Sequence, residues 1–514
     1  MLRNILYIAG PEKLVETKAN LSRLGKVHDI SEQFEGVELL NVEHKSLAPL
    51  KLNVYTTGFD NPISLFLNKI DIDLLILDER GEAPDVISSL DKIKTEIAKL
   101  TKLWGPDFNF PLKRCVAILK DTPDAAHRAF VLGRDHVKDV IVDPHSIVKV
   151  LKKISNILAA DIHENLDRKI GMALSGGALE GFLYQIGACY ALDKVIKERS
   201  VNSFDIYSGV SSGSIIGSLL ACDVDLKEII LSIKGQSKTL PKLSGKTIFD
   251  FAAKDVTTRI LKNTSKWTGL DPGKMMTNFL RSVPTGFFKG DALKEYFETC
   301  LKTLGSSNYF HNLRPELYIG ATDQDTLEHI IFHKGMELQP TISEAVKASC
   351  ALPPFFTPQK IGSRRYIDGQ VTRTSNLHKV IEDGCRLVFI IDPLKPFASE
   401  VPGAVDKEGG VFALIQTVKA LVYSRFASTL SHMTERFPDV DFIVLQPDEE
   451  TTRKMAGSPM RYKVRTEIIE LAFNTTVKKL LSRYEVYKTK LEKHDLFLID
   501  KTELEEIARK GIDI

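Results

Sequence analysis

IYSGVSSGSIIGSLLA, residues 206–221, decides how this chain is read. The residues before Ser211, FDIYSG, read as a strand, and those after it, SIIGSLLAC, as an apolar helix. Between them GVSSG (209–213) fits G-x-S-x-G, in which glycines on both sides allow a sharp strand-to-helix turn and close backbone approach. Ser211 then sits at a helix N-terminus, where N–H groups and positive potential face a developing anion. The pentapeptide alone leaves two readings open: a nucleophile, or an ordinary helix-initiating turn.

A second feature lies upstream in KIGMALSGGALEGFLYQIGACYALDKVI, residues 169–196. A strand, MALS, runs into Gly176, Gly177 and Ala178, and a helix follows. Small residues at such a junction let backbone N–H groups point at a ligand, as an oxyanion hole or a phosphate cradle. A dinucleotide fingerprint needs G-x-G-x-x-G, and a P-loop needs Gly-Lys-Ser/Thr; Ser175 to Gly181 provide neither. A third feature is RRYIDGQVTRTSNL (364–377), where Asp368 and Gly369 follow a strand-like run. Asp-Gly by itself is an ordinary turn. EAVKASCALPPFF (344–356) comes just before it.

Taken in order, the Gly-rich loop, G-x-S-x-G, A-S-x-A-L-P and D-G resemble the patatin-like phospholipase family over residues 170–395. LYIGATDQDTLEHIIFHKG (317–335) and CRLVFIIDP (385–393) are similar to that family as well. The resemblance implies a three-layer α/β/α domain. It also implies a serine lipid acyl hydrolase of the phospholipase A or lysophospholipase type, using a Ser–Asp dyad and an acyl-enzyme, with no metal and no cofactor. Carried over by position, Ser211 is the nucleophile and Asp368 its base. Gly176, Gly177 and Ala178 supply oxyanion N–H groups, and Gly181, Gly209, Gly213 and Gly369 complete the motifs. The substrates implied are phospholipid, lysophospholipid or another acyl-ester lipid. Three departures stand out: Ala178 replaces a third glycine, Glu180 replaces a basic residue, and Gln370 stands where glycine or alanine is usual. The other reading kept open is a catalytically weak lipid-binding protein or signalling adaptor on the same fold.

Histidine-based alternatives have less to stand on. His378, His432 and His494 follow Asp368, but none sits in a short loop after a good strand, as a triad would require. His329 and His333 are four apart in a strand-like pattern, on the same face but well separated, which is a poor metal pair.

The chain is long enough, at 514 residues, for two or three domains. Its net charge of +2, from 69 basic and 67 acidic residues, gives no nucleic-acid footprint. Six scattered cysteines without a CxxC pair read as buried thiols in a reducing compartment. No run of 18 apolar residues spans a bilayer, so the expected location is cytoplasmic, with peripheral membrane contact left open.

Residues 1–160 alternate strand-like runs (5–10, 73–78, 114–119, 139–143) with helical ones (84–100, 123–133, 144–160), implying a parallel sheet under helices. This block resembles a response-regulator receiver domain, with Asp78 where that family carries its phosphate acceptor. The acidic pair after the first strand and the lysine before a proline are missing, so a degenerate regulatory or docking domain, with a protein partner left open, is the expectation. The expected division is 1–160, a linker at 161–169, the hydrolase at 170–395, and a mostly helical extension at 396–514 packing on the hydrolase. Residues 248–290, rich in Phe and Met, read as helical packing or as a cap over a lipid pocket. The basic face of 461–494 reads as a solvated surface or as one meeting anionic lipid.

Overall fold

The computed structural model describes residues 2–23, 25–29, 34, 37–42, 51–105, 108, 110–144, 150–151, 154, 169–243, 286, 288–353, 355–399, 401–455 and 465–512. The expected linker apart from Lys169, most of the helix at 144–160 and nearly all of the Phe- and Met-rich segment fall outside these residues. Two compact units are present. The first joins Met1–Arg168 with Ala427–Asp441 and Leu480–Leu498; the second joins Lys169–Phe426 with Phe442–Lys479 and Ile499–Ile514.

In the first unit, segments of four to eight residues form β1 (Leu2–Ala9), β2 (Gly25–Asp29), β3 (Glu38–Val42), β4 (Lys51–Thr57), β5 (Leu74–Asp78), β6 (Cys115–Leu119) and β7 (Asp139–Val142). Their order is β2-β3-β4-β1-β5-β6-β7. The five strands from β4 to β7 are parallel, in the flavodoxin-like arrangement with the first strand second in line. The antiparallel pair β2 and β3 extends the β4 edge, and these strands, like β4, have no counterpart in the sequence reading. β5 and β6 are buried along their whole length, as expected of central parallel strands.

Asp78 ends β5 fully buried. Its carboxylate accepts from the Arg80 guanidinium at 2.9 and 2.7 Å and from the Tyr7 hydroxyl at 2.6 Å. Burial, then the Asp78 charge, pushes the Tyr7 hydroxyl well above its usual range. Asp78 is thus an internal ion-pair partner closed off from solvent.

The C-terminal segments of the first unit change the expectation of a solvated basic face. Arg483 is 8% exposed; it donates to the Leu67 carbonyl at 3.0 Å and lies over the Trp104 and Phe108 rings. Lys493 reaches Asp71 and Asp73. Arg483 is thus enclosed by a carbonyl and aromatic rings, and Lys493 is ion-paired with its side chain 7% exposed, both within the first unit, to which Leu480–Leu498 belongs.

The second unit is built on β8 (Lys169–Leu174), β9 (Ile206–Val210), β10 (Glu316–Asp323), β11 (His329–Phe332), β12 (Gln359–Ile361), β13 (Arg364–Asp368), β14 (Cys385–Ile391) and β15 (Asp441–Leu445). The order is β12-β13-β10-β9-β8-β14-β15, with β11 also paired to β10. β10, β9, β8 and β14 are parallel; β13 and β11 run antiparallel to β10. β15 comes from the extension expected to be mostly helical and completes the sheet beyond β14. The helix Ala178–Val195 is buried on nearly every face, which explains its lack of a polar stripe. The helices Gly410–Arg436, Arg465–Ser482 and Lys501–Lys510 fit the helical reading of the extension. No described helix is long and apolar enough to cross a membrane.

Candidate active site

Three adjacent strands bring the sequence-selected residues together. β10 lies between β9 and β13, with Gly320 opposite Val210 and Ala321 opposite Asp368. The residue after Val210 is Ser211, so Ser211 and Asp368 meet over the same stretch of β10.

Ser211 takes φ 54° and ψ −128°, a strained geometry for a residue with a Cβ. It directly precedes the helix Ser212–Ala221 and is 7% exposed. The flanking glycines are required by contact. A Cβ at Gly209 would stand 2.3 Å from the Gly213 carbonyl oxygen, and one at Gly213 would stand 2.2 Å from that of Leu174. At Gly369 the obstacle is the Gly320 carbonyl oxygen, 2.5 Å away.

The A-S-x-A-L-P segment holds both halves of the pair. Ser349 is fully buried; its Oγ accepts from the Ser211 N–H at 2.8 Å and donates to the Gly320 carbonyl at 2.6 Å. Two residues on, the Ala351 carbonyl accepts from the Asp368 N–H at 3.1 Å. Ser349 went unrecognised in the sequence, although the motif containing it was quoted; nothing local shows that its hydroxyl bridges two strands.

Asp368 has no exposed surface, and burial pushes its carboxyl up to about 7, with the Ser211 hydroxyl and the Gln370 N–H offsetting part of that rise. Oδ1 accepts from the Gln370 N–H at 2.8 Å, while Oδ2 has no complete hydrogen bond. The Thr322 hydroxyl donates to the Asp368 carbonyl at 3.0 Å. Arg425 fixes the turn that follows, donating to the carbonyls of Gln370 and Val371 at 2.9 Å each. Nothing in the sequence pointed to Arg425, which is 57 residues from Asp368.

Gly176, Gly177 and Ala178 link β8 to the helix Ala178–Val195. A Cβ at Gly176 would come within 2.7 Å of the Ser211 Cβ, so this loop borders the serine directly. Among the described residues no hydrogen bond takes up the N–H of Gly176, Gly177 or Ala178. A Cβ at Gly177 would meet the Gly181 Cα at 2.6 Å, and Gly181 itself is backed by Pro393. Ala178 has φ 53°, the left-handed region that a glycine adopts freely. Ala178→Gly is expected to stabilise the protein by about 0.5–1 kcal/mol, the relief of strain outweighing the added freedom of the unfolded chain. A urea titration of both proteins checks this; a less stable variant would contradict it.

Glu180 is buried and faces Lys419, whose ammonium burial lowers and Glu180 supports. The reversed charge beside the loop is thus opposed by a cation from the helix Gly410–Arg436. His378 does not reach the pair: its ring nitrogens lie 3.1 Å from the Arg373 guanidinium. His329 is held between Thr372 at 2.8 Å and Asn376 at 2.7 Å, and burial pulls it down to about 4. His333 packs against Tyr318 instead. Among the described residues no group of three or more His, Cys, Asp or Glu side chains is arranged to hold a metal ion.

An α/β domain with a buried serine at a strained strand-to-helix turn, a carboxyl two strands away in the same sheet and a glycine loop beside the serine has the form of an acyl-transferring hydrolase. Residues 172–381 match the model of the patatin-like phospholipase family, a family of lipid hydrolases. The crystal structure of VipD from Legionella pneumophila is similar to this chain at 15% sequence identity and a TM-score of 0.33, over 67% of this chain and 74% of that one.

Proposed function

We propose that this protein is a serine lipid acyl hydrolase of the phospholipase A or lysophospholipase type, with Ser211 as nucleophile and Asp368 as general base. The observation that carries this reading is the fully buried Asp368, its carboxyl raised to about 7 beside a serine in nucleophile-elbow geometry. A carboxylate of ordinary acidity is too weak a base for a serine hydroxyl, and desolvation brings its proton affinity close to neutral pH.

Asp368 takes the Ser211 proton as Oγ attacks the acyl carbonyl carbon. The N–H groups of Gly176, Gly177 and Ala178 meet the oxyanion. Asp368 then passes the proton to the departing alcohol as the ester C–O bond breaks, leaving the acyl-serine. Water adds to that ester with Asp368 again as base, releasing fatty acid and restoring the hydroxyl. A phospholipid, a lysophospholipid or another acyl-ester lipid supplies the ester. The first unit is proposed as a regulatory or docking module, with Asp78 as part of its packing and not as a phosphate acceptor.

Fatty acid release from phospholipid, lysophospholipid and a p-nitrophenyl ester, with chelator present, tests the reading. Turnover is expected in wild type and a loss of at least ~10⁴-fold in Ser211→Ala. Folded wild type that releases no fatty acid from any of the three would overturn it.

A further inference from the structure

The side chain of Gln370 lies against the loop of Gly176, and among the described residues its Nε2 has no hydrogen-bond partner. Its backbone is fixed from both sides, the N–H on Asp368 Oδ1 at 2.8 Å and the carbonyl under Arg425 at 2.9 Å. A Cβ added to Gly176 would stand 2.3 Å from both Cδ and Oε1 of Gln370, and the same point is 2.7 Å from the Ser211 Cβ. The Gln370 carboxamide therefore packs on the Cα face of Gly176, next to the Ser211 side chain. Gln370 is only 8% exposed, and its Nε2 is buried without a hydrogen-bond partner.

A buried amide donor without a partner is costly, and folded proteins rarely keep one without a use for it. Half a turn about the terminal side-chain torsion exchanges nitrogen and oxygen at small cost, so the donor can take the position that Oε1 holds beside Gly176. Glycine or alanine at position 370, the residues usual in the resembling family, would bring no side-chain donor at all.

We propose that Gln370 is a further catalytic residue of this protein, its Nε2 donating a hydrogen bond to the acyl carbonyl oxygen as it becomes an oxyanion, beside the backbone N–H groups of residues 176–178. The inference rests on the hydrolase reading with Ser211 as nucleophile. A donor aimed at the oxyanion acts more strongly on the transition state than on bound substrate, so its loss falls on kcat and leaves KM nearly unchanged. Loss of one such donor reduces the rate about 10²- to 10³-fold in other acyl-transfer enzymes.

The test uses the full chain and a p-nitrophenyl ester with wild type, Ser211→Ala, Gln370→Leu and Gln370→Ala. Gln370→Leu keeps the bulk and removes the donor; Gln370→Ala gives the same information if leucine impairs folding. For a Gln370 variant that melts like wild type, kcat is expected to fall about 100-fold with KM within about threefold. Affinity for a trifluoromethyl ketone, which forms the same tetrahedral oxyanion on serine, should fall in parallel, while affinity for the fatty acid product should not. Both variants retaining kcat within about threefold of wild type, or the loss lying in KM, would overturn the role of Gln370 while leaving the hydrolase reading intact. Wild type without turnover would overturn both.

Discussion

Asp368→Asn is expected to abolish ester hydrolysis and, at alkaline pH, to make the protein more stable. Asparagine cannot take the Ser211 proton, so kcat should fall at least ~10⁴-fold. The same change removes a carboxyl that the fold holds at a cost. Asp368 is raised from 3.8 to about 7 by burial, so the folded state keeps its proton over a range in which the unfolded chain has lost it. Below pH ~4 both states are protonated and the group contributes nothing. From there to about 7 the folded state binds more protons, and stability declines as pH rises. Above about 7 the full penalty is present, on the order of a few kcal/mol. Asparagine keeps an oxygen for the Gln370 N–H and carries no charge, so the variant should melt several degrees higher than wild type at pH 8 and much closer to it at pH 4. In wild type, kcat/KM should rise tenfold per pH unit up to about 7 and then level off, as the base becomes ionised. Melting curves from pH 4 to 9 and a pH–rate profile measure both effects. Retained activity in Asp368→Asn with loss in His378→Ala would replace the dyad with a triad.

The parts of this site that were legible in the sequence are those whose geometry is fixed locally. Gly209 and Gly213 are separated from Ser211 by one residue each, and the close approach they permit belongs to one strand-to-helix turn. Gly176 and Gly177 are likewise confined to one junction. Ser349 and Arg425 act across the fold, on Ser211 and on the Gln370 turn, and no spacing in the chain encodes those contacts. Gln370 was visible only as an odd residue after Asp-Gly; what it faces depends on Gly176, almost two hundred positions away. The first unit divides in the same way. The parallel strands β1, β5, β6 and β7 were readable from short apolar runs. β2, β3 and β4 were not, since their mixed sequences become strands by pairing with each other and with β1. The helical period read across 461–494 is present in Arg465–Ser482 and Tyr484–Glu492, but the basic face read as solvated or as meeting anionic lipid includes Arg483 and Lys493, which are enclosed, because periodicity alone cannot tell an enclosed cation from a solvated one.

The enclosed ion pairs of Lys493 carry the largest expected effect on stability. Lys493 donates to Asp71 at 2.6 Å and to Asp73 at 2.7 Å, with all three side chains under 10% exposed, and Arg3 reaches Asp73 at 2.9 Å. Burial alone would discharge these groups. Asp71 and Asp73 instead raise the Lys493 ammonium above its usual range against that desolvation, and Lys493 likewise holds the Asp71 carboxyl below its own. Lys493→Met would take from two buried carboxylates the cation they share, leaving Arg3 on Asp73 and the weaker influence of Lys490 and Arg114 on Asp71, and a loss of roughly 3–5 kcal/mol from the first unit is expected. Asp73 also accepts from the Asn4 N–H at 2.7 Å, so the loss should appear first at β1 and β5. Native-state hydrogen exchange of those strands reads it without waiting for the second unit to unfold. Adding Asp71→Asn to Lys493→Met should recover part of the loss, because one of the stranded charges is then removed. The pH dependence follows from the two directions of shift. The lysine contribution is complete below its unfolded value of ~10.5 and is lost as pH rises through the higher folded value; the Asp71 contribution is complete above ~3.8 and is lost as pH falls through the lower one. The network is therefore at full strength across the neutral range. A loss under ~1 kcal/mol in Lys493→Met at pH 7 would mean that these charges are solvated, and that residues 480–498 are not part of the first unit's core.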